Sequence, residues 1–188
     1  MMDNNMNDFS MVCRVLGTLF YRPPQDSLLA PLLVLIREGK LAEYWPLEQG
    51  ALLERLRGDS RPEVLADDYA GLFVGDAAEV SPLRSAWLRT TESEARDFLQ
   101  QAGMVSPASP ADHFGALLLA GSWLEDHAAA DEVLALSRLF DVFLLPWSDG
   151  FLSKVETSAR SDFYRALATM TREALQALRE DLDDDGTR

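Results

Sequence analysis

The stretch Ser109-Pro110-Ala111-Asp112-His113-Phe114-Gly115 opens a long apolar segment, and its reading decides the fold. Ser109 has the side chain of a helix N-cap and Pro110 suits a first helical turn. Asp112 stands three residues after the cap, where a capping-box acid answers it. Behind this start, Phe114, Leu117, Leu118, Gly121 and Leu124 recur on one helical face. The spacing predicts a helix over 109–127. It also sets one of only two histidines beside a carboxylate at a helix mouth, where orphan backbone N–H groups gather. Two readings of Asp112 and His113 stand side by side. One is a helix cap next to a surface or half-buried histidine. The other is a binding site that includes Ser109, Pro110 and Phe114.

Outward from this segment the same periodicity predicts helices over 8–21, 25–38, 47–57, 61–73, 91–102, 131–144, 147–160 and 162–181. In the second of these, Leu28, Leu32, Leu35 and Ile36 are expected to face inward, with Gly39 as the stop. Residues 75–88 have no steady period and contain Pro82; they read as a loop with a short helical turn. No strict alternation of apolar and polar residues runs a strand's length, and no Asn-Gly hairpin signal occurs. No period of 20–50 residues repeats, which argues against a solenoid. The expected class is all-α: a single globular bundle of about nine helices, one domain over 1–188. The irregular gap at 103–110 offers a hinge. The run Glu180-Asp181-Leu182-Asp183-Asp184-Asp185 reads as a frayed, solvated acidic tail within 180–188.

Composition narrows the function classes. The chain has 17 basic and 31 acidic residues, a formal charge of −14, and no basic patch to meet nucleic-acid phosphate. Such a surface favours basic partners. No apolar run is long enough for a membrane span. The start carries Asp3 and Asp8 and no basic residue before Arg14, unlike the n-region of a signal peptide. The one cysteine, Cys13, lies among Phe9, Val12, Leu16 and Leu19, which points to a buried thiol and a reducing, cytoplasmic setting.

Familiar catalytic patterns are missing. One cysteine and two histidines, His113 and His127, do not make a recognisable zinc set. His127 follows Glu125-Asp126 near a helix end, where it favours the negative terminus. No phosphate-binding glycine loop and no Gly-x-Ser-x-Gly occurs. Gly115 and Gly121 instead suit a close approach of helices. Neither a metal nor a cofactor is expected, and the chain does not read as an enzyme. Trp87 has two readings: a core anchor that pins its loop, or an aromatic floor for a bound peptide. Tyr69, Leu72, Phe73, Trp147 and Phe151 read as core.

Several segments carry a family resemblance. Pro110, Asp112 and His113 match the Pro-x-Asp-His of the TorD-like redox-enzyme maturation chaperones, and Asp112-His113-Phe114-Gly115 with Leu117-Leu118-Leu119 resembles its DmsD-type members. Arg14-Val15-Leu16-Gly17 with Phe20-Tyr21 is similar to the family's first helix. Tyr69 to Gly75 resembles its Tyr-x-x-Leu-Phe segment, and Ser81-Pro82, Ser85 and Trp87 the loop that follows. Leu144, Trp147, Phe151 and Phe163-Tyr164 resemble the closing helices. Within the family, Trp45-Pro46-Leu47-Glu48 and Ser85-Ala86-Trp87 look most like the YcdY branch. Two positions depart: Phe143 stands where many relatives carry histidine, and Ala111 where a more polar residue is common.

The resemblance implies a TorD-like bundle and a cytoplasmic chaperone, monomeric or a domain-swapped dimer. It would bind a client redox enzyme, or its twin-arginine signal peptide, while a molybdopterin cofactor is inserted. Asp112 would meet guanidinium, His113 would line the groove and Trp87 would pack on the apolar part. A second reading keeps the chaperone and changes the client to a cytoplasmic metalloenzyme such as a zinc phosphoesterase. A third is a minor hydrolase or nucleotide-binding enzyme.

Overall fold

The computed structural model describes residues 3–127 and 132–186. In chain order the helices are α1 (Asp3–Tyr21), α2 (Ala30–Arg37), α3 (Lys40–Tyr44), α4 (Gly50–Gly58), α5 (Pro62–Phe73), α6 (Arg84–Trp87), α7 (Glu92–Gln101), α8 (Phe114–His127) and α9 (Glu132–Arg138). A π-helical run over Leu139–Leu144 then leads into α10 (Leu145–Ser158), and α11 (Asp162–Gly186) closes the chain. Among the described residues there is no strand, only an isolated antiparallel bridge between Leu83 and His113. The fold is all-α and TorD-like, in agreement with the periodicity and the resemblance.

The boundaries differ from expectation where tertiary bonds outbid local signals. The second helix is shorter than 25–38 because Asp26 turns the chain first: its carboxylate accepts the Leu28 N–H at 2.8 Å and its carbonyl the Leu29 N–H at 3.0 Å. The buried face is consequently Leu29, Leu33 and Ile36, while Leu28 and Leu35 are 65% and 39% exposed. The helix expected from Leu47 starts at Gly50, since Gln49 is engaged elsewhere: it accepts from the Trp45 indole at 2.9 Å and donates to the Met170 carbonyl at 2.9 Å. The helices expected over 131–144 and 147–160 are joined. Pro146 has no N–H to give, and the wider π turn before it carries the chain past. The Trp147 indole takes up the Phe143 carbonyl at 2.7 Å. The acidic end is not frayed over its described part, for α11 continues to Gly186 with Leu182 buried. The expected start at Asp131 and residues 187–188 of the tail lie outside the described residues.

Two compact units emerge. The first is built from Met1–Tyr21, Pro82–Ser148 and Ala174–Arg188, the second from Arg22–Ser81 and Asp149–Glu173. In the first, α8 is largely apolar and mostly buried from Phe114 to Leu124, as a central helix must be, and its Glu125-Asp126-His127 end is polar. It lies tightly on α1. A methyl group on Gly115 would come within 2.6 Å of the Tyr21 nitrogen and 2.7 Å of the Gly17 carbonyl. Gly121 allows a looser approach one turn and more along, where a methyl group would stand 3.3 and 3.4 Å from the side chains of Cys13 and Leu139. Cys13 is fully buried there, as expected from its neighbours, and burial pushes its thiol far above the usual range, helped by the Glu125 charge.

In the second unit the core gathers Tyr69, Phe73, Phe151 and Tyr164, with ring centroids 5.2–6.2 Å apart. Asp68, buried in α5, braces the start of α11. Its carboxylate accepts the N–H of Arg160 at 3.1 Å, the N–H of Ser161 at 2.9 Å and the Ser161 hydroxyl at 2.6 Å. It thus pins the turn that leads into one helix from the side of another.

Candidate functional site

The helix mouth in the first unit is built differently from the local capping pattern. α8 starts at Phe114, not at Pro110. Residue His113 occupies the N-cap position: its carbonyl accepts the Leu117 N–H at 2.9 Å, and its ring Nδ1 accepts the Gly115 N–H at 3.0 Å. The proton therefore sits on Nε2. Ser109 is exposed and Asp112 lies in the turn before the helix. The reason is a competing partner. The segment before the helix pairs across to residues 82–84: the Phe114 N–H donates to the Pro82 carbonyl at 2.8 Å and the Arg84 N–H to the Asp112 carbonyl at 3.1 Å. On its other side, Glu92 accepts the Ala111 N–H at 2.9 Å, and Arg96 bridges Glu92 to the Ala108 carbonyl. Those bonds hold Glu92 below the usual carboxylate range, Arg96 first and the Ala111 N–H second.

Asp112 is a cap after all, but of another helix. It is 0% exposed, and its Oδ2 accepts the N–H of Ser85, the second residue of α6, at 2.9 Å. Its Oδ1 is buried without a partner. The carboxylate is thus turned inward, toward the short helix that ends in Trp87, and away from solvent. Trp87 itself is half-buried. The structure therefore brings Asp112, His113 and the helix of Trp87 together through Leu83–Ser85, while Phe114 is core, 0% exposed, its ring edge-on to Phe20 and Trp147. Ser109 and Pro110 belong to the segment tied to α7.

His113 is poorly solvated and meets the Tyr21 ring edge-on at 5.1 Å. Burial drives its pKa down to about 4, against the opposing pull of the Asp112 charge. At neutral pH it is an uncharged acceptor to the helix and a donor through Nε2. His127, at the far end of α8, lies exposed with Nδ1 3.0 Å from the Trp123 carbonyl and its ring stacked on Trp123. Among the described residues no group of three or more His, Cys, Asp or Glu is placed to hold a metal, and no helix is long and apolar enough to cross a membrane.

One residue of this region gave no signal in the sequence. Arg84, beside Trp87, is 5% exposed. Its guanidinium lies 4.7 Å from the centroid of Phe143 and donates to Glu94 at 3.2 Å, while its Nε is buried without a partner. Nothing in Leu83-Arg84-Ser85 marks the arginine as internal, because the ring that receives it lies 59 positions on.

The helical scaffold, with Asp112 bracing α6 beside His113, fits the TorD-like bundle that the sequence resembles. The family described as nitrate reductase delta subunit matches residues 39–153. Over 181 residues the chain is 52% identical to "Chaperone protein YcdY" of Escherichia coli (strain K12), covering 96% of this chain and 98% of that protein. It is 31% identical to "Tat proofreading chaperone DmsD" of Salmonella typhi, over 88% of this chain and 86% of the relative. An uncharacterised protein of Haemophilus influenzae is 33% identical over 98% of this chain and all of its own length. The chain belongs to the TorD/DmsD-like family of redox-enzyme maturation chaperones, in its YcdY branch.

Proposed function

We propose that this chaperone works in the cytoplasm, where it binds a client redox enzyme or that enzyme's twin-arginine signal peptide and keeps it competent for cofactor insertion. The observation that carries the reading is the corner joining Asp112, His113 and the Trp87 helix, set in a chain of −14 charge. A leader peptide offers arginines and an apolar helix-forming stretch; an acidic protein with half-buried aromatic surface complements both. Asp112 acts from inside as a positioning residue for α6, while Trp87 and His113 belong to the face that meets the client. Ser109 and Pro110 shape the segment leading to it, and Phe114 anchors it in the core.

The test is affinity capture from the native cytoplasm with the full chain as bait, followed by mass spectrometry. A client bearing a twin-arginine leader, retained less well at high salt, is the expected result. Recovery of no redox enzyme would overturn the reading. One observation favours a second client class: the relative at 52% identity is named simply as a chaperone, whereas the Tat designation belongs to relatives near 30%. Capture of a leaderless metalloenzyme, for example a zinc phosphoesterase, would decide for it.

A further inference from the structure

A groove of about 520 Å³ runs along the first unit between α7 and the α9–π segment. That volume lies within the usual range of ligand sites, roughly 300–1,000 Å³. Its floor is apolar, with the rings of Phe98 and Phe143 stacked at 4.8 Å, and Leu134, 71% exposed, stands at the rim. Its α7 edge carries Glu94 and Asp97, and Arg138 lies on the opposite side. The lining residues of α7 run from Glu94 to Gln101, which makes this edge about 12 Å long.

Floor and edge are held by one buried cation. The Arg84 guanidinium lies against Phe143 and donates to Glu94, so a single side chain fixes an aromatic ring and a carboxylate of the groove. Burying a guanidinium costs energy unless it is well paired, and here its Nε has no partner. A groove whose ring and acid are fixed in advance loses less freedom when occupied.

We propose that this groove is a docking site for a short amphipathic helix of the client, with leucine-class side chains against Phe98, Phe143 and Leu134 and arginine or lysine along the Glu94–Asp97 edge. Charge complementarity selects that occupant: Asp97 stands on the α7 edge beside Glu94, which Arg84 already holds, and the chain as a whole is strongly acidic. The inference rests on the reading that this protein binds a client, and adds where and through what chemistry.

The test uses the full chain and a fluorescein-labelled synthetic peptide of about 14 residues, long enough to fold on binding. It carries leucines at helical spacing and arginines on one flank; a twin has glutamates for the arginines. Fluorescence anisotropy should show binding of the basic peptide only. Leu134→Lys and Asp97→Lys, both at the groove's rim, should each weaken it by about tenfold, equivalent to about 1.4 kcal/mol. Asp97→Lys should also bring the acidic twin into binding, which a merely structural effect would not do. Binding that ignores both substitutions and is lost with Trp87→Ala would seat the client at the α6 corner, overturning this inference and leaving the proposed function intact. Failure of the basic peptide while client capture succeeds would likewise overturn the groove alone; failure of both removes both. Concentration-dependent dimers abolished by Leu134→Lys, with no peptide binding, would assign the groove to a second copy and overturn the proposal.

Discussion

The Asp112 carboxylate accepts the Ser85 N–H at 2.9 Å, so a residue that local sequence marks as the cap of its own helix caps another one instead. Asp112→Ala leaves the N–H of Ser85 unpaired and should cost about 1–3 kcal/mol. Asp112→Asn keeps an amide oxygen in place and should cost less. Urea unfolding gives the energies. Hydrogen exchange supplies the location: faster exchange confined to residues 84–88 in the alanine variant, and little change with asparagine. Uniform acceleration across the chain in both variants would contradict the assignment.

His113 is neutral in the fold, with its pKa lowered from 6.5 to about 4. The unfolded chain therefore takes up the proton first as pH falls. The stability that the neutral ring contributes is fully present above about pH 6.5 and is lost as pH drops toward 4, at about 1.4 kcal/mol for each pH unit crossed between those two values. His113→Asn retains a capping acceptor and has nothing to titrate. Its unfolding free energy, compared with the parent at pH 7 and pH 4.5, should fall less on acidification. Equal slopes would show that the histidine is solvated.

Gly115 and Gly121 are both glycines on α8, but they answer different neighbours. Alanine at 115 meets backbone atoms of α1 at 2.6 and 2.7 Å, which do not yield without moving the helix. The expected cost is about 3 kcal/mol or more, far above the roughly 1 kcal/mol of helix propensity gained. Alanine at 121 meets the ends of Cys13 and Leu139 at 3.3 and 3.4 Å. Those side chains can shift, so its melting temperature should stay within a few degrees of the parent.

Asp68 holds three donors at the entrance of α11. Asp68→Ala strands two backbone N–H groups and one hydroxyl, and should destabilise by about 2–4 kcal/mol in urea unfolding. Ser161→Ala removes only one of those bonds together with the weaker contact to the Tyr164 N–H at 3.3 Å, and should cost about half as much. A larger loss from Ser161→Ala than from Asp68→Ala would reverse the assigned hierarchy.

Helix class and most helix positions were legible because 3.6-residue periodicity is a local property. A close approach of some helix to α8 was legible too, in Gly115 and Gly121, though not that α1 makes it. What failed were starts and ends that distant partners decide. Asp112, Gln49 and Asp26 each have the chemistry of a local cap or turn, but Asp112 and Gln49 spend it on residues far along the chain. The α2 face differs by one step for a related reason: once Asp26 delays the helix, Leu29 and Leu33 take the inward places that periodicity alone gives to Leu28 and Leu32. At the candidate site, the residues His113 and Trp87 were visible as types, whereas the burial of Arg84 was not, since Phe143 and Glu94 meet it only after folding. The same holds for the groove between α7 and α9, whose two walls look like ordinary amphipathic helices when read one at a time.

The single sulfhydryl, buried against Gly121, gives this chaperone a built-in clock. Cys13 cannot meet a reagent while the first and eighth helices remain in contact, so the rate at which it is alkylated reports how often that contact opens. A client that braces the first unit would slow the clock, and one that prises it apart would speed it. The chain would thus time its own handling of a partner without any added probe.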